Sequence, residues 1–264
     1  MNFKKGYLNV NEMKKEATKP HPVLQPHYKS LEEKQGFLRS AFDAAAPFYE
    51  GIARWGFFGS GEWYRKDALE RHGLKEGMKI VDVASGTGPT ARAALRIVGN
   101  PELITCVEPS LGMLNESKKQ LACHHIQAGA EHIPLPDGEF DFLTMGFALR
   151  HVNDLEGAFR EYFRIVKPGG KICILDVTKP RHSLGQIPFR VYFKHVLPFC
   201  TRLFTGSRAA QYLMQYYWDT MDNMVDSEVV MKALAKCGFH EIEHKVLLSV
   251  FTEYTAIKPQ QGRG

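Results

Sequence analysis

The sequence has few cysteines, and no two of them have the spacing of a metal-binding pair. There is no CxxC motif, which argues against a zinc ribbon or finger. Five cysteines scattered over 264 residues also differ from the dense framework of a small disulfide-bonded secreted protein. We therefore expect a protein of a reducing, cytoplasmic compartment that holds no metal. The five are Cys106, Cys123, Cys173, Cys200 and Cys237.

The chain also lacks a long apolar run near its start. Residues 1–30 contain lysines but no continuous hydrophobic stretch, so they predict neither a signal peptide nor a membrane span. We expect them to form a mobile or loosely docked extension. A net charge of +5 without a basic stripe interleaved with exposed aromatics argues against nucleic acid as a partner.

Strand-like and helix-like segments alternate through the rest of the chain. This order predicts an α/β protein with a doubly wound, mostly parallel sheet. We expect one domain over residues 31–260, with an insertion at 181–225. Ligands of such sheets bind outside the carboxyl ends of the strands. The predicted strands are 79–84, 103–108, 124–130, 140–147 and 171–177, and the predicted helices are 31–56, 62–73, 89–99, 109–122 and 154–170.

A turn with almost no side chains, "ASGTG", follows the first predicted strand. A Walker phosphate loop is excluded because no lysine follows Gly88. Gly86, Gly88 and Ala91 fit a dinucleotide fingerprint, but Asp82 at the end of the strand would repel a pyrophosphate. S-adenosylmethionine carries a cationic ammonium and sulfonium and no phosphate, so it suits an acid here. Its ribose would suit Glu108 at the end of the second strand.

Four segments resemble, in order and spacing, the motifs of Rossmann-like methyltransferases that depend on S-adenosylmethionine. They are "VDVASGTG", "CVEPSLGML", "AEHIPLPDGEFDFLTMGFALRHVND" and "YFRIVKPGGKICILDVTKP". The sequence is most similar to the ubiquinone/menaquinone C-methyltransferase family, over about residues 37–180. The resemblance implies a seven-stranded sheet whose last two strands form a hairpin-like pair within residues 240–258.

The resemblance also implies roles for matched positions. The turn from Asp82 to Gly88 would lie beside the methionine moiety, Glu108 on the ribose hydroxyls and Met113 near the adenine, while Tyr49 would close over the cofactor. Ala84 stands where relatives have the first glycine of the turn, and His151 where quinone-modifying members have asparagine. The expected cofactor-binding residues are Tyr49, Asp82, Ala84, Ser85, Gly86, Gly88, Glu108, Pro109, Met113, Ala130, Glu131 and Gly146.

His151 and Arg150 are the candidate catalytic residues. Methylation of a phenolic ring at carbon needs the ring hydroxyl deprotonated, and a histidine with a pKa near 6.5 suits that task. Arg150 would favour the phenolate. Two other readings stay open: Arg150 as a structural ion-pair partner, and His151 as an ordinary residue before a helix that Asn153 and Glu156 begin as a capping box.

Residues 183–206 are apolar and aromatic, yet they carry basic residues. Phe189, Phe193, Val196, Cys200 and Leu203 recur at helical spacing, which predicts a helical lid over the active site. The lid alone is one hypothesis, and a lid that also contacts a membrane to collect a lipidic substrate is another. We expect an enzyme that methylates an apolar aromatic or quinone-like molecule. An O- or N-methyltransferase and a non-catalytic S-adenosylmethionine-binding protein are the alternatives.

Overall fold

The computed structural model describes residues 17–56, 60–180 and 182–260, and one mixed sheet lies at its centre. The order of its seven strands, β3-β2-β1-β4-β5-β7-β6, confirms the predicted α/β sheet. The strands are β1 (Ile80–Val83), β2 (Ile104–Val107), β3 (His124–Ile126), β4 (Phe140–Gly146), β5 (Val166–Val177), β6 (His240–Leu247) and β7 (Phe251–Ile257). The α-helices are α1 (Leu31–Gly56), α2 (Ser60–Arg71), α3 (Pro89–Val98), α4 (Leu111–Lys118), α5 (Leu155–Ile165), α6 (Ser183–Val191), α7 (Leu197–Thr205), α8 (Arg208–Asp222) and α9 (Ser227–Lys236).

Helices cover both faces of the sheet, because its central strands are apolar on both sides. All residues of β1 and β2 are buried, as expected for parallel strands inside a doubly wound sheet. On one face Ile80 and Cys106 belong to a core shared with α1, α3 and α8. On the other face Val81 and Val83 pack with α5 and α9.

The C-terminal hairpin adds the only antiparallel pairs that the described strands make. β7 pairs with β5 from Lys171↔Ile257 to Val177↔Phe251, and β6 then pairs with β7 at the edge. The structure corrects several boundaries: α4 and β3 are shorter than predicted, α5 ends at Ile165, and β5 begins at Val166 and not at Lys171. Val166 pairs with Phe140, and the amide of Gly169 donates to the carbonyl of Lys258 over 2.8 Å. Strand pairing therefore extends through the Pro-Gly-Gly stretch.

Residues 17–30 pack against the domain, so this part of the expected mobile or loosely docked extension is docked. The Thr18 amide donates to Asp154 Oδ1 over 3.0 Å, and the Val225 amide donates to the Pro20 carbonyl over 2.8 Å. Leu24 and Tyr28 are buried in the core. Residues 1–16 lie outside the described residues.

The predicted lid is helical. A π-helical turn at Tyr192–Val196 joins α6 to α7, and α8 follows. The lid attaches to α1 through the Tyr192 hydroxyl, which donates to the Gly56 carbonyl over 2.7 Å, and through the buried Phe193 and Leu197. Within the described part of the chain, no helix combines the length and the apolar character needed to cross a bilayer.

Candidate active site

A pocket opens where β1, β2 and β4 end, and ten of the twelve expected cofactor residues line it. The sheet order places these three carboxyl ends side by side, so the loops that follow them meet. Asp82 and Gly88 are the two expected residues that do not line the pocket. The ten that do are Tyr49, Ala84, Ser85, Gly86, Glu108, Pro109, Met113, Ala130, Glu131 and Gly146.

The glycine turn owes its shape to left-handed backbone at three positions. The φ angles of Ala84, Gly86 and Gly88 are 53°, 57° and 87°. Gly88 begins α3 and lies so close to α4 that an added Cβ would be 2.7 Å from Ser117 Oγ. A side chain at position 88 is therefore excluded by backbone conformation and by space, whereas the left-handed Ala84 carries a conformational cost.

Glu108 stands in the pocket wall with both carboxylate oxygens held in place. Oε2 accepts from the Gly86 amide over 2.9 Å, and Oε1 accepts from the Ser110 amide over 2.8 Å. Each oxygen keeps a second lone-pair direction, so the carboxylate can accept two further hydrogen bonds from a vicinal diol. Burial raises the pKa of Glu108 to about 7.

Asp82 is fully buried beneath the turn, and neither of its carboxylate oxygens accepts a hydrogen bond from the described residues. Burial raises its pKa to about 8, although the nearby Arg65 guanidinium acts in the opposite direction. Arg65 comes from α2 and does line the pocket, with its guanidinium 4.6 Å from the centre of the Phe147 ring. Asp82 thus does not form part of the pocket surface, and a cationic ligand in the pocket would favour its ionised form.

Helix α1 borders the pocket and contacts the turn. The Tyr49 hydroxyl is 2.9 Å from that of Tyr217 on α8. The next residue, Glu50, accepts hydrogen bonds from the Thr87 hydroxyl and from the Arg92 guanidinium, 2.8 Å away. α1 is therefore fastened to the glycine turn at the point where it passes the pocket.

The far end of the pocket is apolar, with a backbone rim. Met113 is buried in the wall at the start of α4. The carboxylate of Glu131 is turned away to accept from the Asn153 amide over 2.6 Å. Pro109 and Ala130 complete this end. These groups offer an apolar surface on which the flat face of an aromatic ring such as adenine can pack.

His151 lies in the pocket among aromatic rings. Its ring centroid is 5.3 Å from that of Phe42, 5.5 Å from that of Tyr216 and 5.7 Å from that of Tyr217. Both ring nitrogens are buried without a hydrogen-bond partner among the described residues. Burial, followed by the charge of Arg150, holds the pKa of His151 well below its usual value. The imidazole is therefore neutral at physiological pH, with its nitrogens available to a ligand.

Arg150 forms a buried ion pair with Asp176 at the end of β5. Its guanidinium also stacks on the Tyr217 ring, 4.1 Å from the ring centre. It lines a second, polar cavity behind Tyr217 and not the pocket that holds His151. This geometry matches the ion-pair reading of Arg150, and substrate contact by this residue stays a prediction.

The capping prediction for α5 was wrong by one position. Asp154, and not Asn153, is the N-cap, because its side chain accepts from the Glu156 amide. The amide of Asn153 donates to Glu131 instead. Asp154 Oδ1 also accepts from the Thr18 amide, so the cap fastens the N-terminal segment.

Sequence reasoning missed the helical residues of the pocket and one cluster of possible metal ligands. Arg65, Phe42 and Tyr217 lie on helices outside the strand-end motifs, and amphipathic spacing alone does not show which helical residues face a pocket. The cluster has no CxxC spacing, so the sequence pattern gave no sign of it. Parallel pairing of β2 with β3 brings Cys106, Cys123 and His125 together, with ligand atoms within 4.8 Å of one another.

Comparisons with known proteins show the family of the chain and its fold. A model of the ubiE/COQ5 methyltransferase family matches residues 29–258. The ubiquinone/menaquinone biosynthesis C-methyltransferase of Shewanella woodyi is 29% identical over 226 residues, which are 82% of this chain and 89% of that protein. The corresponding enzyme of Shewanella sediminis has the same identity and coverage.

Solved structures share the fold at lower identity. A methyltransferase from Thermotoga maritima, described as a possible histamine N-methyltransferase, has a TM-score of 0.56 and 21% identity, covering 83% of this chain and 99% of that one. The phosphoethanolamine N-methyltransferase 2 of Haemonchus contortus, bound to S-adenosyl-L-methionine, has a TM-score of 0.59 and 18% identity. It covers 83% of this chain and 57% of that one. These likenesses show the S-adenosylmethionine-dependent methyltransferase fold.

Proposed function

The chain belongs to the ubiE/COQ5 methyltransferase family, and from this membership we propose that it methylates a ring carbon of a quinone-type phenol. It is an S-adenosylmethionine-dependent methyltransferase. Its relatives are named for ubiquinone and menaquinone biosynthesis, and both products are apolar rings. The aromatic cage around His151 is the observation on this chain that carries the proposal, because it offers a flat apolar slot with a neutral proton acceptor.

The pocket fits S-adenosylmethionine through chemistry visible in the chain. Glu108 offers free lone pairs to the ribose hydroxyls, and Met113 offers an apolar surface to the adenine. The half-buried Arg65 would meet the carboxylate of the methionine part, and the field of Asp82 would favour its ammonium. When bound, the cofactor supplies an electrophilic methyl group on a cationic sulfonium.

The acceptor ring would lie against Phe42 and Tyr217, with its hydroxyl toward His151. The neutral imidazole accepts a hydrogen bond from that hydroxyl and so orients it. The imidazole then receives the hydroxyl proton, which increases the electron density on the neighbouring ring carbon. The Tyr49 and Tyr217 pair closes the pocket and keeps water from the reacting atoms. Holding both reactants in line supplies much of the acceleration, since effective molarities contribute roughly 7 to 11 kcal/mol.

The test is a screen of acceptors with methyl-labelled S-adenosylmethionine. Hydroquinones with and without an isoprenoid tail are compared with catechols and with primary amines, and product fragmentation locates the label. We expect label on a ring carbon of a hydroquinone. Glu108→Ala is the cofactor-site control and should lose labelling at limiting donor, whereas Glu102→Ala, at an exposed position, should not. Label on oxygen or nitrogen only, or on none of the acceptors, would contradict the proposal.

A second observation favours collection of the acceptor from a membrane at the cytoplasmic side. Leu184, Phe199 and Phe204 on α6 and α7 are 87%, 64% and 71% exposed. Segment 183–206 carries Arg190, Lys194 and Arg202 and no acidic residue. An apolar face with basic residues and no acids suits the interface of an anionic bilayer. Phe189 and Phe193 of the predicted lid pack inward, so they would not take part.

Liposome flotation checks this membrane contact. Wild-type protein should float with anionic vesicles at low salt, and added salt should weaken the binding because basic charges are screened within about 10 Å at 0.1 M. The double variant Phe199→Asp with Phe204→Asp should lose at least about tenfold in partitioning, given roughly 1.5 to 3 kcal/mol for burying each ring. Leu248→Asp, at another exposed position, is the matched control. If the double variant binds vesicles as well as the wild type does, or if the wild type does not bind them, α6 and α7 form a lid without membrane contact.

A further inference from the structure

Two thiols and one imidazole converge beside the glycine turn, outside the cofactor pocket. Cys106 lies on β2, His125 lies opposite it on β3, and Cys123 precedes β3. The two sulfur atoms are 3.6 Å apart, and Cys123 Sγ is 3.8 Å from His125 Nε2. The three ligand atoms lie within 4.8 Å of one another.

The hydrogen bonds of the imidazole determine which ring nitrogen can bind an ion. His125 Nδ1 lies 2.9 Å from the Cys123 carbonyl oxygen, which can only accept a hydrogen bond. Nδ1 therefore carries the proton, and the lone pair of Nε2 accepts a hydrogen bond from the Ser117 hydroxyl, 3.0 Å away. Cys123 Sγ lies 4.0 Å from Nδ1 and 3.8 Å from Nε2, so a bound ion would replace the Ser117 hydroxyl at Nε2 and a small turn of the ring would bring this nitrogen onto the ion. Anchoring of one ring nitrogen by a carbonyl is the arrangement that fixes metal-binding histidines in proteins.

The spacing fits a tetrahedral ion. With metal–sulfur bonds of about 2.3 Å, two thiolates on a tetrahedral centre lie about 3.8 Å apart, close to the separation found. The fully buried Ser117 hydroxyl, 3.0 Å from Nε2, borders the same space. Two thiolates and one imidazole form a donor set that prefers zinc over magnesium or calcium.

From this geometry we propose that Cys106, Cys123 and His125 form a binding site for one soft divalent cation of the zinc class. Two metal–sulfur bonds and one metal–nitrogen bond form, and the two thiols release their protons to solvent, so no electron is transferred. Cys123 and His125 are half-buried, which leaves the fourth position open to water.

The site neighbours the cofactor turn but shares no residue with it. Cys106 pairs in register with Asp82 and precedes Glu108 by two positions on the same segment. Ser117 packs against Gly88. A bound ion would therefore join β2, β3 and α4 at the base of the turn, and its occupancy would be thermodynamically linked to cofactor affinity.

Titration of the reduced full-length protein with Co²⁺ as the probe tests the site. We expect one equivalent to bind, with a thiolate-to-cobalt charge-transfer band and the visible bands of a tetrahedral centre, and Zn²⁺ to displace it. Cys123→Ser and His125→Asn change half-buried positions and should each weaken binding at least tenfold. Cys106 is buried, so its variant is not used.

Matched controls lie close by. His124 is the exposed neighbour of His125 on β3, and Cys200 is half-buried on α7. His124→Asn and Cys200→Ser should bind Co²⁺ as the wild type does. Absence of a charge-transfer band, the same affinity in Cys123→Ser, or a Cys106–Cys123 disulfide that persists under reducing conditions without metal uptake would overturn the proposal.

Discussion

Ala84 shows how one residue of the turn affects stability. It has a φ of 53°, a region that costs a residue with a side chain roughly 1 to 2 kcal/mol. Ala84→Gly relieves this strain but adds backbone entropy to the unfolded chain, so we expect a net gain of about 0.5 to 1 kcal/mol. Urea unfolding measures it. Ala94→Gly within α3 is the control and should lose about 1 kcal/mol. A loss of stability in Ala84→Gly would mean that packing of the methyl group outweighs the strain.

His151 gives the residue-scale prediction for catalysis. His151→Ala should lower the methylation rate by roughly 10²-fold, as expected when a general base is removed, and should leave affinity for S-adenosylmethionine unchanged. Because the pKa of His151 is held well below 6.5, the acidic limb of the wild-type rate profile should lie below pH 6.5. An unperturbed histidine would instead place this limb between about pH 6 and 7. Single-turnover rates against pH measure both effects.

The variant His151→Asn separates two roles of the side chain, orienting a hydroxyl or a water and removing a proton. An amide can orient a hydroxyl or a water but cannot remove a proton, so recovery of activity over the alanine variant would indicate orientation. Turnover close to wild type in His151→Ala would eliminate the residue as a base. The substrate hydroxyl would then ionise without a base at this position.

The sequence predicted residues at strand ends better than residues on helices. Glu108 was found because parallel strands and their loops have a fixed polarity, whereas Met113 was named from the resemblance to the methyltransferase family. Ten of the twelve expected residues line the pocket. Asp82 was placed correctly along the chain, but burial under the turn depends on the packing of α2, which no local pattern encodes. The same limit explains the missed Arg65 and the ion pair that Arg150 makes with Asp176.

At the scale of elements, the contact of α1 with α4 positions one side of the pocket. Asp43 Oδ1 accepts from the Ser110 hydroxyl over 2.6 Å and from the Gly112 amide over 2.8 Å. The helices are so close that a Cβ on Gly112 would lie 2.9 Å from Asp43 Cα. Gly112→Ala should therefore push α1 outward, cost about 1 to 3 kcal/mol of stability and weaken cofactor affinity, since α1 carries Tyr49.

Calorimetry of S-adenosylmethionine binding and thermal unfolding measure the two effects. Gly36→Ala on the exposed side of α1 is the matched control, because a Cβ there meets nothing within 4 Å. It should stabilise the helix by up to about 1 kcal/mol and leave affinity unchanged. Wild-type affinity in Gly112→Ala would show that α1 does not position the cofactor pocket.

Element boundaries differ from the sequence prediction where tertiary partners decide them. Helix α1 was predicted with its observed bounds, because its amphipathic pattern is long and continuous. The start of β5 was missed since the Pro-Gly-Gly stretch reads locally as a stop, while pairing with β4 and Lys258 extends the strand. Docking of residues 17–30 depends on Asp154 and Val225, which lie more than 130 positions away.

At the scale of the whole molecule, buried charge near the pocket links stability to pH. Burial raises the pKa of Asp82 to about 8 and that of Glu108 to about 7. The folded protein therefore keeps protons that the unfolded chain, with carboxyl pKa values near 4, has already lost. Lowered histidine pKa values act in the opposite direction, but their effect fades above about pH 6.5, where the histidines of the unfolded chain lose their protons. Burial lowers the pKa of Lys34 to about 8, and this residue affects the pH dependence of stability mainly above pH 8.

Between pH 6.5 and 8 the two carboxyls thus dominate, and the free energy of unfolding of the ligand-free protein should fall as the pH rises. The slope is at most about 1.4 kcal/mol per pH unit for each proton retained. Asp82→Asn removes the group with the higher pKa, so it should flatten this slope and stabilise the ligand-free protein at pH 8. Urea unfolding at pH 6.5 and 8 measures both. Because a cationic ligand offsets the buried negative charge, S-adenosylmethionine should raise the melting temperature of the wild type more at pH 8 than at pH 6.5, and this difference should shrink in Asp82→Asn. An unchanged slope in the variant would mean that Asp82 is not the group that couples stability to pH.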